Sequence, residues 1–205
     1  MKLYYSPGAC SIGIHLLLEE AGEQYESVPV ALKEGAQFKP EFTGVNPKSK
    51  VPVLARDDGS VLTEFPAIAF WLARTNPDAN LLPPDADGQA RALEALDYVV
   101  ATIHMQGFSR LFRPANFGPD PANEDKVKAR GREIIEKGLA LMDRTLAGKE
   151  YVVGRFSIAD AALFYVELWA QNMKIALPPN CAAHLARMKA RPAVARTLQQ
   201  EGITA

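Results

Sequence analysis

The sequence predicts an α+β first domain, in the order β-α-β-α-β-β-α, followed by an all-α second domain. Three observations carry that expectation. Short apolar, β-branched runs alternate with helical stretches over residues 1–76. The segment NPDANLLPPDADG (76–88) then packs three prolines, three aspartates and one glycine into a short span, as an inter-domain linker does. Beyond it the strand signals stop, and residues 89–205 carry helical period.

The elements follow in order. Residues 2–6 (KLYYS) read as a short buried strand ending at the Pro7-Gly8 turn. Cys10 to Ala21 read as a helix stopped by Gly22. Glu26 to Ala31 read as a second strand, and 33–46 as a polar, irregular segment with a short helix near Pro40 to Thr43. VPVLA and SVLT are two strands around Asp57-Asp58-Gly59, a hairpin signal because Asp-Gly suits turns that need positive φ. Pro66 to Thr75 form the next helix, opened near Glu64. This order is the thioredoxin-like arrangement: a parallel unit, an antiparallel hairpin and a closing helix. In the second domain, helices are expected at Gln89–Phe112, Glu124–Leu146, Ser157–Gln171, Ala182–Ala190 and Ala193–Glu201. The expected division is 1–76, a linker at 77–88, and 89–205.

With 205 residues, 48% apolar and 23% charged, the chain has the composition of a globular protein with room for two domains. A net charge of −1, with basic residues scattered among acids, argues against a nucleic-acid partner. Two cysteines, Cys10 and Cys181, make no disulfide framework and suit a reducing compartment. The N-terminus does not read as a signal peptide, because Pro7-Gly8, His15, Glu19 and Glu20 break its apolar stretch. Apolar runs such as 161–165 are too short to span a bilayer. A soluble cytoplasmic protein is expected. Three scattered histidines show no metal-ligand spacing, so no metal is expected.

Cys10 falls where a helix begins. The helix dipole and free N–H donors there lower a thiol pKa, below the ~8.5 of a free cysteine. Against this stands the ordinary fate of a free cysteine, a small buried hydrophobe. Cys10-Ser11-Ile12-Gly13 lacks a second thiol, which disfavours a dithiol cycle. Val51-Pro52 opens a strand with proline: either a cis bond that leaves the Val51 backbone available to an extended peptide, or an ordinary trans proline at a strand start. Glu64 could be a simple capping acid. In the arrangement derived, however, Cys10, Val51-Pro52 and Glu64-Phe65 share one edge of the sheet. A thiol-handling residue, a strand edge and a helix N-terminus together suit a cysteinyl peptide with charged ends.

The chain resembles the cytosolic glutathione transferases, and most nearly their bacterial beta class, over essentially its whole length. The resemblance rests on YYSPGACS, NPKSKVPVL (46–54), LTEFPAIAFWLA (62–73), HMQGFSRLF (104–112) and GRFSIADAALF (154–164). It implies the glutathione transferase fold, a homodimer, and transfer of the glutathione thiol to a hydrophobic electrophilic small molecule, a detoxification chemistry. Glutathione enters as co-substrate, and no permanently bound cofactor is implied. Cys10 would lie beside the glutathione sulfur. Val51, at the Pro52 corner, would pair with the cysteinyl part. Glu64 and the Phe65 backbone would hold the γ-glutamyl end, and Lys33 the glycyl carboxylate. His104 would approach the thiol from the helical domain, and Asp97, two turns back, would reach glutathione across a dimer interface. Two positions depart from the pattern. Phe65 replaces a small or hydroxylic residue, which removes a hydrogen bond of about 1 kcal/mol and makes Phe65→Ser an expected gain in binding. Asp97 stands where Asn is common.

Other residues read as structural. Ser157-x-x-Asp160 is a capping box. Trp169, Phe164 and Tyr165 read as core, and His15 and His184 as satisfied histidines. The electrophile is expected near Met105, Phe108, Phe112 and Phe117. Two rival functions stand beside conjugation: monothiol transfer through Cys10 itself, and a non-enzymatic binding module on the same fold.

Overall fold

The structure, a computed structural model, describes residues 1–118 and 120–203. It divides into two compact units, residues 1–82 with the chain from Arg187 onward, and residues 83–186.

The first unit is built on a four-stranded sheet: β1 (Lys2–Tyr5), β2 (Glu26–Pro29), β3 (Val53–Ala55) and β4 (Val61–Thr63). The spatial order is β2-β1-β3-β4, with β1 parallel to β2 and the other pairs antiparallel. Leu3 and Leu54 face each other in register and are fully buried. Helix α1 (Ser11–Ala21) buries every side chain from Ser11 to Leu18. It stops at Gly22, whose φ of +69° suits glycine and whose N–H donates to the Leu18 carbonyl. The β3–β4 hairpin turns at Gly59 (φ +82°), as Asp-Gly predicted. A short helix α2 (Pro40–Thr43) precedes β3, and α3 (Phe65–Thr75) follows β4 and packs against α1.

The second unit is helical. Its first long helix starts at α4 (Ala86–Asp97), capped by Asp85, whose carboxylate accepts the Gly88 N–H at 2.8 Å. It runs on through a π-helical stretch, Tyr98–Phe108, into α5 (Ser109–Phe112). The sequence predicted one uniform helix here, and the widened middle has no counterpart in side-chain period. Helix α6 (Glu124–Leu146) lies against it at close range. A Cβ on Gly138 would meet Ile103 at 2.6 Å, and one on Gly131 would meet the Gly107 carbonyl at 2.9 Å. Helix α7 (Ile158–Asn172) is buried from Ile158 to Ala170. Its capping box is formed: Asp160 Oδ2 accepts the Ser157 N–H at 2.8 Å, and Ser157 Oγ accepts the Ala159 N–H at 3.3 Å. Trp169, Phe164 and Tyr165 are core, as expected. Helix α8 is Pro179–Lys189.

The last helix, α9 (Pro192–Gln200), departs from the expected division, which put all of 89–205 in the helical domain. It packs on α1. Val194 and Leu198 are buried, and two ion pairs to α1 flank them, Arg191 Nε to Glu20 Oε1 and Arg196 Nε to Glu19 Oε2, both at 2.6 Å. Among the described residues no helix is long and apolar enough to cross a membrane.

Candidate functional site

The loop entering α1 holds the cysteine. It turns at Gly8, whose φ is +70°. Buried Ser11 clamps it, its Oγ accepting the Ser6 N–H at 3.1 Å and donating to the Ser6 carbonyl at 3.3 Å. Cys10 then caps α1 through its backbone alone. Its thiol donates to the Val51 carbonyl at 3.6 Å.

This environment does not lower the thiol pKa. Burial pushes it up, to about 12, and the nearby Glu64 charge adds to that rise. The Cys10 and Ser11 N–H groups pull the other way, as the helix start predicted, and so does Lys50. Desolvation outweighs these donors. The thiol of the free protein is therefore neutral at physiological pH.

A cis Val51-Pro52 bond immediately precedes strand β3. A buried Asn46 shapes the approach to it. Its Oδ1 accepts the Lys48 N–H at 3.1 Å and its Nδ2 donates to the Lys50 carbonyl at 2.8 Å. Val51 packs on the cluster of Val30, Phe42 and Val53, and Leu32 packs on the same cluster. The turn carrying exposed Lys33 is thereby anchored on the cluster that seats Val51.

Glu64 precedes α3 with φ +69° and ψ 127°, a strained backbone for a residue with a Cβ, and its side chain makes no cap. The carboxylate instead accepts from Lys48 Nζ at 2.8 Å, and the same ammonium donates to Thr63 Oγ1 at 2.9 Å. Sequence reasoning missed Asn46 and Lys48; the Asn-Pro dipeptide before the strand was the available signal. Phe65 opens α3 with its ring only 4% exposed. The ring is a packing element of the first unit, so a serine there would leave a hole in the core.

In the second unit, His104 lies on the π-helical stretch with Nδ1 3.2 Å from the Tyr165 hydroxyl. Its ring meets Trp169 edge-on at 4.8 Å between centroids. Asp97 is exposed at the end of α4. Met105, Phe112 and Phe117 are exposed apolar side chains of the kind expected for an electrophile site. Phe108 is not among them: it is fully buried against Phe112 and Trp169. The expectation had set it among the residues near the electrophile, but here it is core at the end of the π-helical stretch.

His15 and His184 are both satisfied and buried. His184 Nδ1 lies 2.7 Å from Glu167 Oε2 and Nε2 lies 3.2 Å from Asp160 Oδ1.

A thioredoxin-like sheet that sets a neutral cysteine against a strand edge is the class of arrangement the first unit presents. Comparison with known proteins gives the family. The glutathione S-transferase N-terminal domain family matches residues 8–75, and the corresponding C-terminal domain family matches residues 125–187. Glutathione S-transferase GstA of Escherichia coli O157:H7 is 39% identical over 99% of this chain and 100% of its own length. Two solved structures are similar throughout. A glutathione transferase homologue from Sulfitobacter, with bound glutathione, is 27% identical, with a TM-score of 0.91 over 99% of this chain and 98% of that one. A bacterial beta-class glutathione S-transferase from Sphingomonas chungbukensis is 33% identical, with a TM-score of 0.85 over the whole of both chains. The chain belongs to the glutathione S-transferase family and is an enzyme of that family, a glutathione transferase.

Proposed function

We propose that the protein binds reduced glutathione along the Val51 corner and transfers its sulfur to an apolar electrophile. The observation that carries this reading is the Cys10 thiol donating to the Val51 carbonyl at 3.6 Å, because it brings a thiol donor and an extended strand edge together. Val51, set by Pro52, would pair with the cysteinyl backbone. The Glu64 carboxylate would take the γ-glutamyl ammonium, the helix start at Phe65 the carboxylate beside it, and Lys33 the glycyl carboxylate. The family resemblance adds His104, and the exposed Asp97 of a second copy, to the residues given to glutathione. Exposed Met105, Phe112 and Phe117 give the electrophile an apolar surface.

A neutral Cys10 favours conjugation over thiol exchange through Cys10. Exchange needs a thiolate, whereas a neutral thiol can donate an S–H bond to a glutathione thiolate placed beside it. Enzyme catalysis in this reading is proximity and thiolate stabilisation, with thiol transfer or peroxide reduction as side activities of the same glutathione thiol. The reading extends to a cytoplasmic homodimer. Phe38, 67% exposed, and the exposed Val61 and Phe70 are apolar surface that a second copy would cover. Sedimentation at micromolar concentration tests the dimer, and a monomer there removes the cross-subunit part given to Asp97.

Calorimetry with reduced glutathione tests the site. The protein should bind it, and Glu64→Ala should weaken binding about tenfold, the loss of one charged hydrogen bond. Absence of binding at millimolar glutathione, or an unaffected Glu64→Ala, overturns the assignment.

A further inference from the structure

We infer that Glu201, held by His15, is a positioning residue for the cysteine loop. This rests on the reading of Cys10 as part of the glutathione site.

Glu201 follows α9, and its side chain is completely buried. One carboxylate oxygen, Oε2, accepts the Gly8 N–H at 2.8 Å. The other, Oε1, lies 2.9 Å from Nδ1 of His15, which is also completely buried, on α1. Nε2 of the same ring lies 2.6 Å from Gln200 Oε1. The amide of Gln200 is oriented by its neighbours, since its Nε2 donates to Glu19 Oε1 at 3.0 Å while its Oε1 faces the Tyr25 hydroxyl at 3.1 Å. Glu19 is held as a carboxylate: burial opposes its charge, but Arg196, Tyr25 and Gln200 outweigh burial and lower its pKa. An amide oxygen turned toward that carboxylate would be repelled, so the amide nitrogen stays there. The rings of Tyr5 and Tyr25 stand against His15, with centroids 5.3 and 5.5 Å away.

Every member of this chain of contacts is thus constrained by the next, and its inner end is the Gly8 N–H. Gly8 is where the loop reverses, two residues before the thiol. The backbone there has positive φ and lacks the stiffness a side chain would bring, so a fixed acceptor adds to the Ser11 clamp in holding one conformation. Glu201 supplies it from the far end of the sequence. The carboxylate touches neither Cys10 nor the strand edge at Val51. Its effect on the reaction passes through the loop, by setting where the Cys10 sulfur sits relative to the Val51 carbonyl.

The test uses the full-length chain with Glu201→Ala and Glu201→Gln. In Glu201→Ala, amide hydrogen exchange in the peptide containing Gly8 should speed up about tenfold, the factor that one buried hydrogen bond represents. The rate of Cys10 alkylation, mapped by mass, should change with it, and the KM for glutathione should rise more than kcat falls. Glu201→Gln keeps an oxygen for Gly8 and should restore most of each. A folded Glu201→Ala with Gly8 exchange and Cys10 alkylation unchanged overturns the inference. If Glu201→Ala does not fold, the unaltered protein decides. Its Gly8 amide should be protected and should lose protection at the same urea concentration as the amides of α9, whereas exchange at the rate of an open loop overturns the inference. Exchange and alkylation are read without glutathione, so they stand apart from a failure of the glutathione site itself.

Discussion

The Cys10 sulfur donates to the Val51 carbonyl across 3.6 Å, which makes the thiol a hydrogen-bond donor in the free protein. Because burial raises its pKa to about 12, the thiolate is a minor species until strongly alkaline pH. Alkylation of Cys10 by iodoacetamide should therefore be slow at pH 7 and still be rising with pH at 10. Cys10→Ala, which removes the S–H donor but leaves the strand edge and helix start, should lower conjugating activity about tenfold without abolishing it. A rate plateau reached below pH 9 would show a thiolate that the burial argument does not allow.

Glu64 sets local strain against binding. Its φ of +69° disfavours any residue with a Cβ by roughly 1–3 kcal/mol, while its exposed pair with Lys48 is worth at most about 1. Glu64→Gly should therefore raise the urea midpoint and at the same time weaken glutathione binding. A lowered midpoint with intact cooperativity means that the ion pair outweighs the strain.

Phe65→Ser runs against the expectation drawn from the sequence. The buried ring fills the core where α3 begins, so its removal should destabilise by about 3–5 kcal/mol, as Phe-to-Ala truncations in cores do. Glutathione binding should weaken with it, because the helix start loses its anchor. Chemical denaturation gives the first quantity and calorimetry the second; tighter binding in a stable variant would restore the hydroxyl argument.

The buried triad of His184, Glu167 and Asp160 makes stability depend on alkaline pH. Burial opposes charge on His184, but Glu167 and Asp160 outweigh it and raise its pKa to about 9, above the ordinary 6.5. A histidine raised on folding stabilises fully below 6.5, and its contribution is lost as pH rises through about 9. Glu167, raised by burial to about 7 from an ordinary 4.5, takes its own loss lower down, between those two values, and leaves the fall above pH 7 to His184. The midpoint of unfolding should fall between pH 7 and 9.5. His184→Ala should lower stability at pH 7 by about 3–5 kcal/mol and flatten that fall. A pH-independent midpoint across the range contradicts the pairing.

Gly131→Ala tests the close approach of α6 to the π-helical stretch. The new methyl would stand 2.9 Å from the Gly107 carbonyl, a backbone atom that cannot rotate aside. Destabilisation of about 1–3 kcal/mol is expected from such overpacking. A neutral substitution in thermal unfolding would mean that the two helices can separate at little cost.

What the sequence made legible was local. Gly22, Asp58-Gly59, Ser157 with Asp160, and Pro52 each act within a few residues, so their effects can be read without knowing the fold. The positions of Cys10, Val51 and Glu64 followed from the order of elements. What stayed hidden depends on partners far along the chain. The Cys10 pKa turned on burial, with the Glu64 charge from another element beside it, and no helix-start argument contains either. Phe108 is buried against Phe112 and Trp169, and Trp169 lies much further along the chain, on another helix. Helix α9 has the pattern of any amphipathic helix, and only Glu19 and Glu20, more than 170 positions away, reveal which unit it completes.

That placement bears on how the chain is made. The bond between Gly8 and Glu201 joins residues 193 positions apart. Strands β1 and β2 leave the ribosome early, and at roughly 5–20 residues per second the chain waits on the order of ten seconds or more before α9 follows. Through that interval the thioredoxin-like unit exists without its last helix, and α1 presents an uncovered face. The helical unit, whose residues run without interruption, is complete first. The half of the enzyme that is translated first is thus the half that is finished last, and the cysteine loop, already clamped by Ser11, gains its distant acceptor only after α9 has been made.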